Sequence, residues 1–442
     1  MGKTLNPEGL NLRKDTWVTG LALFAMWFGA GNLIFPPYLG VLDGSNVAGI
    51  IAYIIGDAVL AALGILASSK FVEAGDIKGI AVLSRTWKWL DVLLGCLMVF
   101  FICPVFVVPR TCATAFEVAI KPFAPHFSPV IFAIIYFALT FFFMFKSSKV
   151  IDYIGKILTP GLLIFLVIMI VKGIVDPIGS VGDPQIKDVF ANGLMNGYQT
   201  MDAMGGTLFG VVVLASINSK GYTDSNQKSK LLAKAGIIGT SLLAVIYIGL
   251  YYLGACVGSQ YDSTVEQTTL LVNIVQVLMG KGGLAILAII VLLACLTSAI
   301  GVAAAGCEYF TEISNGKLKY EWLVIGFCVL GAVLSVMGVQ KIILIAVPIL
   351  EIVYPPFIAM VLLGLFSKFI KRDMVFNIAA LVAFAMGICQ VAGLSFVNAM
   401  PLASFGLGWI VPAAVGAVIG AFIPGDSRKL NTPSNNDTPK AV

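Results

Sequence analysis

The chain has 442 residues, 59% of them hydrophobic and 12% charged, with a mean hydropathy of +0.97 and a formal net charge of +5. Soluble chains carry about 25% charged residues, so this composition excludes a water-covered surface over most of the molecule. The basic residues are scattered between apolar runs, so the net charge says little about nucleic acid, and none is expected as a partner. The runs themselves, about 20 residues or longer, suit membrane-spanning helices and are too long for barrel strands.

Residues 1–15 are polar and read as an N-terminus outside the membrane. They lack the basic-then-apolar order of a cleavable signal, and the run from Trp17 is too long for a signal core. Apolar spans follow at about 16–40, 46–69, 90–120, 128–146, 151–173, 191–217, 233–257, 282–309, 321–338, 342–366, 373–395 and 406–424. They predict an all-α integral membrane protein of about twelve transmembrane helices in a single domain. The stretch 266–280 is amphipathic and is expected to lie in the interface. Residues 425–442, rich in Asn, Ser and Pro, are expected to form a disordered tail. The eight cysteines sit inside apolar runs without a CxxC pair, and read as small core residues. With the N-terminus placed in the cytoplasm, 22 of the 28 Lys and Arg fall on the inner side and five on the outer. That asymmetry supports both the helix count and cytoplasmic termini.

Two spans carry the marks of a break. The first contains Phe28-Gly-Ala-Gly-Asn-Leu-Ile-Phe-Pro-Pro37, and the sixth contains Asn196-Gly-Tyr-Gln-Thr-Met-Asp-Ala-Met-Gly-Gly206. Glycine lowers helix stability and permits irregular backbone, and freed backbone groups at membrane depth are tolerated only beside a cavity or ligand. The half-helix after such a break points amides at the gap and suits a carboxylate. The half before it points carbonyls, which suit a cation or ammonium. Breaks five helices apart fit an inverted five-helix repeat, over about 16–173 and 191–366. Ile157–Leu163 and Val353–Ala359 echo each other with a proline in corresponding place. Glycine-rich close packing is the plainer alternative.

In the eighth span Ala294, Thr297, Ser298, Gly301 and Ala305 share one face. This stripe of small residues allows close approach of another backbone. Its two hydroxyls either complete an all-oxygen cation site or bond back to their own helix. Ionisable residues at membrane depth are Asp57, Arg110, Glu117, Asp202, Glu308 and Glu351. Arg110 and Glu117, two turns apart, are either partners or ligands. Asp202 is the strongest carboxylate candidate and equally a helix N-cap. Lys156 either takes a cation's place or snorkels to the inner interface. The single histidine, His126, falls in an outer loop, so no histidine relay crosses the bilayer.

Together these segments resemble the bacterial branched-chain amino acid:cation symporter family, which takes up leucine, isoleucine and valine. The resemblance rests on residues 28–37, on Val108-Pro109-Arg110-Thr111, on Gly197–Ala203 and on Ala294–Gly301, and runs from residue 17 to about 420. It implies the leucine-transporter fold, with discontinuous helices 1 and 6 and two peripheral helices, in the bacterial inner membrane. By that resemblance a Na+ ion would be held by the carbonyls of Ala25, Phe28 and Ala294 and the hydroxyls of Thr297 and Ser298. The substrate carboxylate would meet amides at Gly29, Ala30 and Gly31. Its ammonium would meet carbonyls of Trp27, Tyr198, Gln199 and Thr200, with Met201 and Asp202 beside them. Asn32 would join substrate and ion, and Cys103, Val107 and Val302 would wall the aliphatic side chain. The expected ligands are thus a branched-chain amino acid, a monovalent coupling cation (Na+, or H+ in a variant of the same fold) and lipid. No cofactor and no obligate protein partner is expected. An enzyme would need a nucleophile–base pair or a metal cluster, which one loop histidine and scattered carboxylates do not supply. A channel would show a continuous polar stripe.

Overall fold

The computed structural model describes residues 11–72, 80–145, 149–222 and 224–424, and the expected tail at 425–442 lies outside them. The described residues are helical and loop throughout, without a strand. The first span is two helices, α1 (Leu12–Trp27) and α2 (Ala30–Asp43), which meet at 73°. The second is α3 (Ala48–Ile54) and α4 (Leu60–Val72), joined by a π-helical turn over Ile55–Val59. The third is α5 (Lys88–Phe100) and α6 (Val108–Ala115), joined by a π-helical stretch over Phe101–Val107 that contains Pro104. A further π turn, Phe116–Ile120, ends that span. The fourth and fifth are α7 (Pro129–Phe145) and α8 (Lys149–Val175).

The sixth span is again broken, into α9 (Val189–Thr200) and α10 (Asp202–Ser219). The chain continues with α11 (Ser225–Ala255), α12 (Gln267–Ile313), α13 (Tyr320–Ser335), α14 (Val339–Leu365), α15 (Met374–Val391), the short α16 (Ser395–Asn398) and α17 (Ile410–Phe422). Among the described residues six helical stretches are each long and apolar enough to cross a bilayer, and the bent α1–α2 pair makes a seventh. The protein is therefore a multi-pass membrane protein. Its outward surface is correspondingly apolar, with Ile134, Ile168, Val245, Ile289 and Val333 exposed as they would be to lipid.

The amphipathic stretch 266–280 is helical and forms the first part of α12, up to a break at Gly280 with φ 65°. Leu270, Leu271, Ile274, Val275 and Leu278 bury its apolar face against the protein. Helix α11 begins about two turns earlier than expected. The Asp224 carboxylate accepts from the Gln227 amide and anchors its polar first turn. The small stripe of α12 does not mediate close packing at Gly301, where an added Cβ would meet nothing within 4 Å. Close approach occurs further along the helix, where Gly306 meets the Cys103 side chain.

Glycine sets the closest crossings. Both halves of the first span pack on α11, and α3 and α4 pack on α9 and α10 respectively. Gly40 lies against the Tyr251 carbonyl, and Gly254 against the Pro37 carbonyl, so α2 and α11 touch through backbone on both sides. A Cβ on Gly197 would sit 2.8 Å from the Tyr53 carbonyl, and one on Gly206 2.7 Å from the Ala61 carbonyl. Small residues replace side-chain burial as the source of contact here, because lipid is as apolar as leucine. The last two long helices, α15 and α17, pack on each other, with α15 against α14.

Gly254→Ala forces α2 and α11 apart and should lower the thermal unfolding midpoint by several degrees, as overpacking by about 1–3 kcal/mol does. Gly236→Ala in the same helix, where an added Cβ meets nothing, should not lower it. Equal midpoints for the two variants in detergent would show that the glycine crossing does not hold these helices.

Candidate functional site

The first break arises at Phe28-Gly29. Phe28 leaves the helical region with ψ 94°, and Gly29 is fully extended at φ −116°, ψ −164°. Gly29 has no side chain to cap the amides that begin α2. The Asn32 side chain bonds back to the chain here, its Oδ1 accepting from the Gly29 amide at 3.0 Å. The second break is at Met201, a non-glycine residue held in the left-handed region at φ 65°. Such strain costs of order 1 kcal/mol or more and persists only where surroundings over-determine it.

Here Arg110 supplies the constraint. Its guanidinium, 3% exposed at the side of α6, donates through Nη1 to the Gln199 carbonyl and through Nη2 to the Thr200 carbonyl at 3.4 Å. These are the carbonyls that α9 would otherwise leave unpaired at its end. Arg110 Nη2 also lies 3.3 Å from where a Gly31 Cβ would stand, and the guanidinium carbon is 5.7 Å from the centre of the Phe35 ring. One side chain from the third span thus touches both breaks. Arg110 and Glu117 are not partners. Glu117 instead accepts from Thr268 Oγ1 at 2.6 Å and the Val339 amide at 3.0 Å.

Asp202 lies at the first position of α10 but caps nothing there. Its carboxylate instead accepts from Asn32 Nδ2 at 2.6 Å, across the gap between the breaks. Asn32 Nδ2 also contacts the Tyr247 hydroxyl of α11. Thr200 Oγ1 lies 3.0 Å from Asp57 Oδ1, which the π turn Ile55–Val59 brings into the interior. Asp57, Asn32 and Tyr247 are each at most 1% exposed. Tyr247 carries no signal in the sequence, being one tyrosine in an apolar run. Asp57 is visible in the sequence as a buried acid but not as part of this site.

Between the breaks is a cavity of about 50 Å³. Its first-span wall is Met26, Trp27 and Gly29–Asn32, and its sixth-span wall is Thr200, Met201, Asp202 and Gly205. Ile102, Val107, Arg110 and Thr111 close one side, and Ser298 and Val302 of α12 another. Most residues read from the sequence are therefore brought together here. Cys103 is not at the cavity and packs against Gly306. The Tyr198 ring stacks on Tyr354, with centres 4.3 Å apart. The Gln199 and Thr200 carbonyls, expected to meet the ammonium, each accept from Arg110 and keep a second lone pair.

Of the expected cation ligands, Ser298 reaches the cavity wall. Thr297 bonds back to its own helix, Oγ1 donating to the Leu293 and Ala294 carbonyls, each at 3.0 Å. That spends its proton but not its lone pairs. Phe28 is the residue that caps α1, its amide donating to the Phe24 carbonyl, and Ala25 lies one turn inside that helix. His126 is exposed in the loop before α7.

Two broken helices that converge on one cavity in a membrane protein are the arrangement of many transporters. Comparison with known proteins agrees. Residues 12–426 match the family described as branched-chain amino acid transport protein. A Staphylococcus aureus protein named as a putative branched-chain amino acid carrier is 34% identical over 450 residues, covering 95% of this chain and 99% of that one. A Staphylococcus saprophyticus protein with the same designation is 34% identical over 446 residues, with 95% and 98% covered. Among solved structures, the fold is similar to Mhp1, a nucleobase-cation-symport-1 family transporter, closed with bromovinylhydantoin bound. The TM-score is 0.62 at 14% identity, with 95% of each chain covered. It is also similar to a Na+-coupled sialic acid symporter in a substrate-bound outward-open state. There the TM-score is 0.57 at 15% identity, with 93% of this chain and 91% of that one covered. The chain belongs to the branched-chain amino acid transport protein family; it is a transporter, not an enzyme.

Asn32→Ala strips the Asp202 carboxylate of a buried donor and should cost about 1–3 kcal/mol of stability. Adding Asp202→Asn removes the stranded charge, so the double variant should be less destabilised than the sum of the singles by more than about 0.5 kcal/mol. Strict additivity in thermal unfolding would mean that the two side chains do not interact.

Proposed function

We propose that the protein is a secondary active symporter that imports leucine, isoleucine and valine with a cation by alternating access. The observation that carries this reading is the charge balance at the cavity. Asp202 and the Arg110 guanidinium line the cavity, and Asp57, fully buried, stands behind Thr200 of its wall. With both acids ionised, one negative charge is uncompensated, and burying such a charge costs several kcal/mol. A monovalent cation entering with the amino acid removes that cost. A zwitterion brings no net charge, so the substrate alone does not. The apolar wall of Ile102, Val107 and Val302 suits an aliphatic side chain.

In this reading the amides of Ala30 and Gly31 receive the carboxylate. Na+ sits between the first break and α12, on the carbonyls of Ala25, Phe28 and Ala294 and the hydroxyls of Thr297 and Ser298. Twelve spans, with the first ten arranged as inverted repeats over about 16–173 and 191–366 and both termini in the cytoplasm, complete the picture in a bacterial inner membrane. A cavity of about 50 Å³ is too small for the substrate as it stands, since even benzene fills a cavity of about 150 Å³. The walls must part, and the irregular backbone at Phe28-Gly29 and Met201 is where they hinge. A second reading, proton coupling, is favoured by Thr200, whose hydroxyl lies 3.0 Å from Asp57 Oδ1 and accepts from the Asp202 amide at 3.4 Å, so that two buried acids are neighbours.

Leucine uptake into proteoliposomes, with Na+ and proton gradients imposed separately, decides between them. An inward Na+ gradient should drive accumulation, and Thr297→Ala/Ser298→Ala should reduce it at least about tenfold, the loss of roughly 1.4 kcal/mol of ion binding. Uptake that follows the proton gradient and survives the double substitution sinks the sodium site and leaves the acid pair as the coupling element.

A further inference from the structure

The Arg110 guanidinium has more donors than the protein uses. It carries five N–H groups in a fixed fork. One makes a short bond to the Gln199 carbonyl, and the bond to Thr200 is long at 3.4 Å. Its Nε, buried with the rest of the side chain, has no partner in the protein. An unpaired buried donor on a cation is costly, and this one belongs to a side chain that lines the cavity. It stands beside Gly31, where α2 begins with uncapped amides. Guanidinium and helix N-terminus therefore present positive charge from the same side.

The opposite sign also stands at the cavity. Asp202 lines it too; Asn32 Nδ2 donates to its Oδ2 at 2.6 Å, and the carboxylate keeps further acceptor positions. Two of the backbone carbonyls expected to meet an ammonium, those of Gln199 and Thr200, are engaged by Arg110. A carboxylate is then the strongest acceptor at the cavity for a positively charged group.

We propose that Arg110 and Asp202 form a charge clamp that reads both ends of a zwitterion. The α-carboxylate of the amino acid lies against Arg110 and the first amides of α2, and its α-ammonium lies against Asp202. This rests on the reading of the protein as an amino acid transporter and sharpens it. The clamp selects free α-amino acids and rejects their amides, esters and N-acylated forms, whatever the side chain. The carboxylate takes the donors that Arg110 leaves unused. Arg110 is thus a substrate-binding residue as well as the tether of the α9–α10 break.

The test is competition against radiolabelled L-leucine binding to the purified full-length protein, with L-leucinamide and N-acetyl-L-leucine as competitors, for wild type, Arg110→Gln and Arg110→Lys. In wild type, unlabelled leucine should compete roughly 10–100-fold better than either analogue, the span expected for losing one charge-assisted contact. Arg110→Gln should weaken leucine and bring the leucine-to-leucinamide ratio towards one, while the preference over N-acetyl-leucine remains. Arg110→Lys, which keeps the charge and fits the site with fewer donors, should give an intermediate ratio. A merely structural arginine would weaken all three ligands in proportion. Leucinamide competing as well as leucine in wild type overturns the clamp without recourse to any variant, should Arg110→Gln fail to fold. Leucine binding with an unchanged ratio in either variant also overturns it, and leaves the transport reading standing. Failure of wild type to bind leucine at all overturns the transport reading and the clamp together.

Discussion

The structure turns on the Asn32 carboxamide. Its oxygen accepts from Gly29 across the first break, and its nitrogen reaches Asp202 at the second break and Tyr247 on α11. Three spans separated by up to 215 residues in sequence meet at one buried group. In a medium without water every freed backbone group must find a protein partner. A broken helix is therefore stable only if something fills the gap, and each break here is filled by a side chain from elsewhere in the chain or, as with Asn32, from its own edge. Remove that node and two half-helices end in unpaired polar groups.

Arg110 does for the sixth span what Asn32 does for the first. The left-handed conformation at Met201 leaves carbonyls pointing into the interior, and a guanidinium is the side chain with enough donors to take two of them and remain charged. The two devices differ in what they leave behind. Asn32 is nearly saturated, so it fixes geometry. Arg110 keeps an unpaired Nε, so it fixes geometry and retains capacity for an anion. Tyr53, Tyr247 and Tyr354, fully buried around this centre, lower the local dielectric and make each of these charge interactions stronger than it would be near water.

Much of this is legible in the sequence, and the reasons are local. Glycines beside a polar residue inside an apolar run mark a break without any knowledge of partners, and both breaks are where Phe28–Asn32 and Asn196–Gly206 place them. The kink that separates 266–280 from the span after it follows from a change of pattern, and Gly280 supplies it. Pairing over distance is what escapes. Nothing near Tyr247 or Asp57 in the chain says that they meet Asn32 and Thr200. The i, i+7 spacing of Arg110 and Glu117 suggests a pair on one face, yet one points to the sixth span and the other to Thr268 and Val339. The π turns are responsible in part. An extra residue in a turn rotates what lies beyond it, so the face of Arg110 read at 3.6 residues per turn does not persist into Phe116–Ile120, where Glu117 sits.

The same irregularities bear on how such a protein moves. Regular helices pressed backbone to backbone at Gly40, Gly254, Gly197 and Gly206 cannot bend without opening a whole packed seam, so they move as bodies. The extended pair Phe28-Gly29 and the single residue Met201 are the non-helical points between these packed stretches, where helix hydrogen bonds oppose a change of dihedral least. The polar residues that span those two hinges, Asn32, Arg110 and Asp202, are also those at the cavity. Any ligand that changes their hydrogen bonds therefore changes the balance between hinge positions directly. No separate relay is needed between binding and motion, because the groups that would hold the ligand are the groups that hold the hinges. By linkage, whatever closes the hinges must in turn tighten the ligand.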